Sequence, residues 1–243
     1  MRLPVRFSAA YAALAAFCFW VGARAQAQTP PAQTPPAQSS NDQGPANAPY
    51  VTINPLAGVR YDNRYDISLG LAYDHMKAGP TLLQGSNLGG LDVSGSYWLT
   101  KRWGAEGSFR PYVGTSGAGP NDASIKGPFV SQYFFDGGPE WLGPHNAHGD
   151  LIAHVLVGGV YGNFEQDLRG NSPSVVDFYN NQVAFSTIMG GHFDLNRSGR
   201  WVFRVTPDAM LTRYSINYGN RESQIDINFA ISVGLEYKFK KRR

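Results

Sequence analysis

The side chains that could do chemistry in this chain are few, with five histidines and one cysteine among 243 residues. His145, His148 and Asp150 are the one local cluster of metal-ligand type. A metal site needs three or four convergent ligands, however, and the Gly and Pro around this cluster already account for a turn. No metal ligand is assigned on that basis, and no cofactor or catalytic residue either. The other candidates are ionisable groups in stretches where apolar and polar residues alternate: Asp92, Glu106, Arg110, Arg204, Glu236 and Lys238. Enclosed together, they would have to form a buried charge network, because an unpaired ion away from water is costly. His154 and His192 read as polar residues of the same interior.

Those positions are set by strands. Ile225, Ile227, Phe229, Ile231, Val233, Leu235, Tyr237 and Phe239 share one parity, and Asp226, Asn228, Ala230, Ser232, Gly234, Glu236 and Lys238 the other. A period of two sustained this far is a strand long enough to cross a bilayer obliquely, which takes about 9 to 11 residues. The same pattern begins at Ile67, Leu91, Trp103, Phe129, Val183 and Trp201. The stretch Leu151 to Phe164 is a further strand whose inward face stays open, since Leu151, Val155, Val157 and Tyr161 compete with Ile152, Leu156 and Val160. Pro207 removes a ladder donor from the seventh strand and predicts a bulge there.

Alternation alone does not say which face is wet. Three features point to an apolar exterior. The polar parity is rich in Gly, Ser, Ala and charges of both signs, as a narrow barrel interior requires. Tyr73, Tyr97, Trp103, Trp141, Trp201, Tyr237 and Phe239 sit near strand ends, where amphipathic rings prefer membrane interfaces. Long and short connections also alternate, the pattern of external loops and periplasmic turns. The expected fold is all-β, an eight-stranded antiparallel up-and-down transmembrane β-barrel over 50–239, with both ends in the periplasm.

The flanks are of different material. Arg2 and Arg6, an apolar run from Phe7 to Gly22 and the small residues around Ala25 have the order of a secretory signal, placed at 1–25. Cys18 lies inside it, so no disulfide is expected. Residues 26–49, built on the repeat Thr29-Pro-Pro-Ala-Gln33 and Thr34-Pro-Pro-Ala-Gln38, read as a disordered periplasmic linker. Residues 240–243 are a basic tail. The formal charge of +3 disappears if Arg2, Arg6 and Arg24 leave with the signal, so no nucleic-acid partner is expected.

The chain resembles the outer-membrane protein β-barrels of the OmpA/OmpX type, in particular the small barrels of acidobacterial genomes. The matching stretches are Leu91 to Phe109, Phe135-Asp-Gly-Gly-Pro-Glu-Trp141, His154-Val-Leu-Val-Gly-Gly159, Met189-Gly-Gly-His-Phe-Asp194, Leu211-Thr-Arg-Tyr214 and the final strand. The resemblance covers Tyr65 to Phe239. It implies residence in the cell outer membrane, contact with outer-membrane lipid and lipopolysaccharide, and delivery by periplasmic chaperones to the barrel-assembly machinery. Tyr237 and Phe239 would be the signal that machinery recognises, although Lys240, Lys241, Arg242 and Arg243 extend beyond it. Larger members carry a peptidoglycan-binding domain after the barrel, whereas only four residues follow Phe239 here.

Some barrels of this size modify lipid A, and the deacylases use a His and a Ser two residues apart. No His-x-Ser occurs in this sequence. The expected function is therefore non-enzymatic: a monomeric barrel with a structural, adhesion or envelope-integrity role through polar external loops such as Gly117 to Asp122 and Asn171 to Asn181. The alternative is a narrow porin or ion channel, and a lipid A-modifying enzyme ranks third. Eight strands leave room only for side chains, which favours a plugged barrel.

Overall fold

Backbone groups that cross a bilayer must all be hydrogen-bonded within the protein, which for strands requires a closed sheet. The computed structural model meets that condition. It describes residues 54–80, 82, 85–118, 125–215 and 223–239. The signal segment, the linker and the basic tail expected from the sequence lie outside these residues.

Eight strands follow in order: β1 (Tyr65–Met76), β2 (Ser86–Trp98), β3 (Trp103–Thr115), β4 (Phe129–His145), β5 (Gly149–Asn163), β6 (Gln182–Asn196), β7 (Trp201–Ser215) and β8 (Ser223–Lys238). A single helical turn, α1 (Pro173–Val176), interrupts the β5–β6 connection. Each strand pairs antiparallel with its successor, and β8 returns to β1 to close the barrel. At the closing seam Leu69 stands between Val93 and Leu235. The connections alternate in length as expected: β1 to β2, β3 to β4, β5 to β6 and β7 to β8 are joined by longer stretches, and the tighter turns 99–102, 146–148 and 197–200 lie at the other end of the strands.

The period-two pattern settles into an inverted barrel. Leu71, facing out, is 74 % exposed, while Glu236, facing in, is 1 % exposed. A soluble barrel would reverse these, because exposed aliphatic surface on this scale costs free energy in water and none in lipid. Outward rings gather at the tight-turn end. Tyr65 stacks near Tyr97 with centroids 5.1 Å apart, and Trp201, Tyr237 and Phe239 follow one another at 5.0 and 5.1 Å. Trp103 pairs with Trp141 in the same girdle. Tyr73 points out near the opposite end and donates to Asn87 Oδ1 at 2.7 Å.

Two expectations need correction and one is resolved. The register of β7 on β8 runs unbroken through Pro207, paired with Ile231, and β6 keeps its register on either side of it. Pro207 points outward without a bulge. The register shift falls instead between Leu142 and His145 of β4, at Gly143 and Pro144. In β5 the inward face is Asp150, Ile152, His154, Leu156 and Val160, all buried, with Leu151, Val155, Val157 and Tyr161 facing lipid. The pattern was ambiguous because both faces are apolar toward the long-loop end. There the lumen holds Met76, Leu88, Tyr112, Phe134, Ile188 and Met210, a dry core rather than the polar interior expected throughout.

Strand β8 approaches β1 closely at one inward pair of glycines. A Cβ on Gly234 would lie 2.2 Å from the Leu69 carbonyl oxygen and 2.4 Å from Gly70 Cα. Gly234→Ala is expected to strain the closing seam by about 1–3 kcal/mol. The check is the fraction of protein that migrates as the compact, heat-modifiable form before boiling.

Candidate functional site

Inward side chains meet across the lumen because every strand contributes alternate residues to one narrow space. Three layers result. At the tight-turn end, residues 54–64 lie against the mouth, where the Tyr61 hydroxyl donates to the Asn146 carbonyl at 2.8 Å and accepts from Asn196 Nδ2 at 2.8 Å. Lys238 Nζ sits 4.8 Å above the Tyr61 ring and bonds Asp150 Oδ2 at 3.2 Å. Trp98 Nε1 donates to Asp66 Oδ2 at 2.7 Å. The cavity among these residues has a volume of about 20 Å³, room for about one water.

Burial, and the nearby Asp150 carboxylate, push the Tyr61 hydroxyl above its usual ionisation range. An unfolded tyrosine ionises near about pH 10, so above that pH the folded state holds a proton that the unfolded state has lost. The stability of this mouth contact is therefore present below that pH and falls as pH rises. Limited proteolysis between residues 54 and 64 is expected to accelerate above about pH 10 in the parent. In Tyr61→Phe, which has no hydroxyl to ionise, cleavage should be faster at neutral pH and show a weaker dependence.

The middle layer contains the ion network. Arg204 Nε and Nη2 donate to the two oxygens of Asp194 at 2.8 and 2.7 Å, and Nη2 also donates to Glu236 Oε2 at 2.9 Å. Arg110 bonds Asp92 at 3.2 Å, Ser108 at 3.0 Å and Asp208. Asp208 Oδ1 lies 2.9 Å from His154 Nε2. His154 Nδ1 lies 2.7 Å from Glu106 Oε2, and His192 Nε2 is 3.2 Å from that same oxygen and 3.2 Å from His154 Nδ1. The two rings stand nearly perpendicular, 4.6 Å apart.

All six charged residues singled out from the sequence are buried in the lumen. The structure links Asp92, Arg110 and Glu106 into one chain through Asp208 and His154, and holds Arg204 with Glu236 and Lys238 with Asp150 apart from it. Asp92 joins Arg110, Glu106 joins the two histidines, Arg204 joins Glu236, and Lys238 joins Asp150. Sequence reasoning left out Asp150, Asp194 and Asp208 from this network. Asp194 had a readable signal: it pairs directly with Arg204 across the tight turn 197–200. The convergence of Glu106 with His154 and His192 had none, because it joins β3 to β5 and β6 across the lumen.

His145, His148 and Asp150 do not converge. His145 is exposed, packs 4.5 Å from the Tyr61 ring and places Nδ1 3.0 Å from the Gly143 carbonyl, while Asp150 turns inward to Lys238. Among the described residues, the group of side chains with metal-ligand spacing is Glu106, His154 and His192.

The third layer closes the long-loop end. Connection 164–181 does not stand free in solvent. Phe164, Leu168, Val176, Phe178 and Tyr179 are buried with the inward residues of the strands. Phe164 and Tyr179 pack on Tyr214 at 5.2 and 5.0 Å, and the Tyr179 hydroxyl donates to Asp226 Oδ2 at 2.6 Å. Asn171 to Asn181, expected to be a polar external loop, is therefore half plug. Its polar residues hid Val176, Phe178 and Tyr179, which bury because the open mouth offers an apolar wall. Most of Gly117 to Asp122, the other loop singled out, lies outside the described residues.

No known family profile matches the chain, and no curated protein does. Solved structures are similar to it. OprG of Pseudomonas aeruginosa aligns at 16 % identity over 76 % of this chain and 99 % of that one, with a TM-score of 0.50. Ail, the attachment invasion locus protein of Yersinia pestis, aligns at 18 % identity over 73 % and 99 %, with a TM-score of 0.44. Outer membrane protein W of Escherichia coli aligns at 15 % identity over 73 % and 98 %, with a TM-score of 0.41. At 16 % identity the likeness to OprG concerns the fold alone.

Proposed function

We propose that this chain, an outer-membrane β-barrel of the small OmpA/OmpX type, acts without catalysis, as a closed membrane anchor for an ordered external cap. The cap contributes to envelope integrity or adhesion. The observation that carries this reading is connection 164–181: its apolar side seals the lumen while Gln166, Asp167, Arg169, Asn171, Ser172 and Ser174 remain exposed. Loops held on a rigid scaffold are suited to binding. The tight turns and both ends of the barrel would then face the periplasm, and the girdle of Trp103, Trp141, Trp201 and Tyr237 would mark the inner interface.

The absence of catalysis is supported by how the lumen histidines are used. His154 and His192 bond Glu106, Asp208, Thr206 and each other, which ties both rings into the ion network. The partners in this reading are outer-membrane lipid and lipopolysaccharide along the apolar exterior, and the barrel-assembly machinery with periplasmic chaperones during insertion. The barrel acts as a monomer.

Planar-bilayer recording tests the closed lumen. The parent, Glu106→Ala and Arg110→Ala are all expected to be silent. Steady conductance in the parent that shifts in either variant would replace this reading with a narrow ion path. Cells with and without the chain should then differ in adhesion or detergent sensitivity while their lipid A masses stay the same; a mass change dependent on the chain would establish an enzyme instead.

A further inference from the structure

We propose that Glu106, His154 and His192 bind a divalent transition ion of the zinc class inside the barrel. The inference depends on the closed barrel and not on the role given to the external cap. Glu106 Oε2, His154 Nδ1 and His192 Nε2 form a triangle with edges of 2.7, 3.2 and 3.2 Å. Donors bound to one tetrahedral zinc at 2.0–2.2 Å lie roughly 3.3 Å apart, so a shift of a few tenths of an ångström completes the site. Two imidazoles and one carboxylate suit zinc, copper or nickel rather than calcium or magnesium, which take oxygen ligands.

The surroundings have the form of a ligand-orienting shell. His154 Nε2 donates to Asp208 Oδ1 at 2.9 Å, and His192 Nδ1 lies 2.8 Å from Thr206 Oγ1. A second partner on each ring fixes the nitrogen left for the metal. Glu106 Oε1 is buried and has no hydrogen-bond partner, which leaves it available as a fourth donor through bidentate binding. Glu106 pairs with the two histidines and with none of the buried Arg110, Arg204 and Lys238, so no fixed cation competes for its oxygens. Without metal, His154 faces carboxylate oxygens from both nitrogens and so must donate from both, as only the protonated ring can. Metal uptake then releases the Nδ1 proton to solvent as the nitrogen lone pair binds the ion.

The site is fully enclosed, so loading accompanies closure of the sheet. The test is to refold the full chain in detergent micelles with zinc chloride, remove unbound metal by desalting and measure the metal content of the heat-modifiable, folded fraction. About one zinc per chain is expected in the parent and in a His145→Ala/His148→Ala variant, and at least tenfold less in a His154→Ala/His192→Ala variant. Thr206→Val, which keeps all three ligands but removes the partner of His192, should bind zinc about tenfold more weakly. Should the double lumen variant fail to fold, cobalt substitution in the parent gives the same answer: the intense visible bands of a tetrahedral site support the proposal. A folded parent free of zinc overturns it. So do zinc lost with His145 and His148 instead, or the weak spectrum of hexa-aqua cobalt, and none of these outcomes disturbs the barrel or the role of its cap.

Discussion

Arg204→Ala is expected to destabilise the folded barrel by about 3–5 kcal/mol, the cost of leaving buried charges without their partner. The Arg204 side chain is 5 % exposed, and it holds Asp194 through two parallel hydrogen bonds and Glu236 through a third. Removing it leaves the buried side chains of Asp194 and Glu236 without the guanidinium that pairs them. Urea titration of unfolding in lipid vesicles, followed by loss of the heat-modifiable band, measures the change. Asp194→Asn in the same chain should recover part of the loss, because one of the two orphaned charges is gone. Arg102→Ala, in an exposed turn, should stay within about 0.5 kcal/mol of the parent. Equal stability in the Arg204 variant would mean that solvent reaches these carboxylates, and the lumen would then be open rather than sealed.

Leu69→Arg carries the second large effect, and it tests the orientation of the sheet. Leu69 points outward midway along β1, 58 % exposed, between Val93 and Leu235. In a bilayer the arginine would lie in hydrocarbon, and folding into lipid vesicles should become less favourable by about 2–4 kcal/mol. On a soluble barrel the same exposed position would tolerate the change within about 0.5 kcal/mol. The two outcomes differ enough to decide between a lipid-facing and a water-facing exterior. A matching substitution near the girdle, Tyr65→Arg, should cost far less, since a long cation there reaches the headgroups.

Both predictions follow from the way the lumen is filled. The middle layer is ionic and the long-loop layer apolar, so loss of one partner strands a buried charge at the centre, while a small apolar core forms under connection 164–181. Burial of a side chain such as Phe178 in that core contributes about 1.5–3 kcal/mol. The plug therefore tightens the fold as well as shaping its outer surface. An external loop that served adhesion alone would have no reason to bury Phe164, Phe178 and Tyr179 inside the mouth.

The strands were legible because a period of two is a local property. Ile225 through Phe239 shows it without interruption, and the alternation of loop lengths fixed the order of hairpins. Pro207 misled, because the missing N–H of a proline is tolerated wherever the neighbouring pairs can keep register, and here they do. The fifth strand could not be oriented from its own residues, since Leu151 and Ile152 are equally apolar. Its partners decide: Ile152 pairs with Leu142 and His192 on the inward parity of β4 and β6. The loop 164–181 was misjudged for a similar reason, because composition averages over residues that point in opposite directions.

What the amino-acid sequence determined by itself is the closed, eight-stranded, apolar-outside barrel and the inward parity of Asp92, Glu106, Arg110, Arg204, Glu236 and Lys238. These follow from nearest-neighbour spacing along each strand. Only the tertiary structure decided which charges meet, that a loop plugs the external mouth, and that Glu106, His154 and His192 converge. Contacts across a lumen depend on the stagger between strands that are not neighbours, and that stagger is set when β8 closes on β1, not by any one segment of the chain.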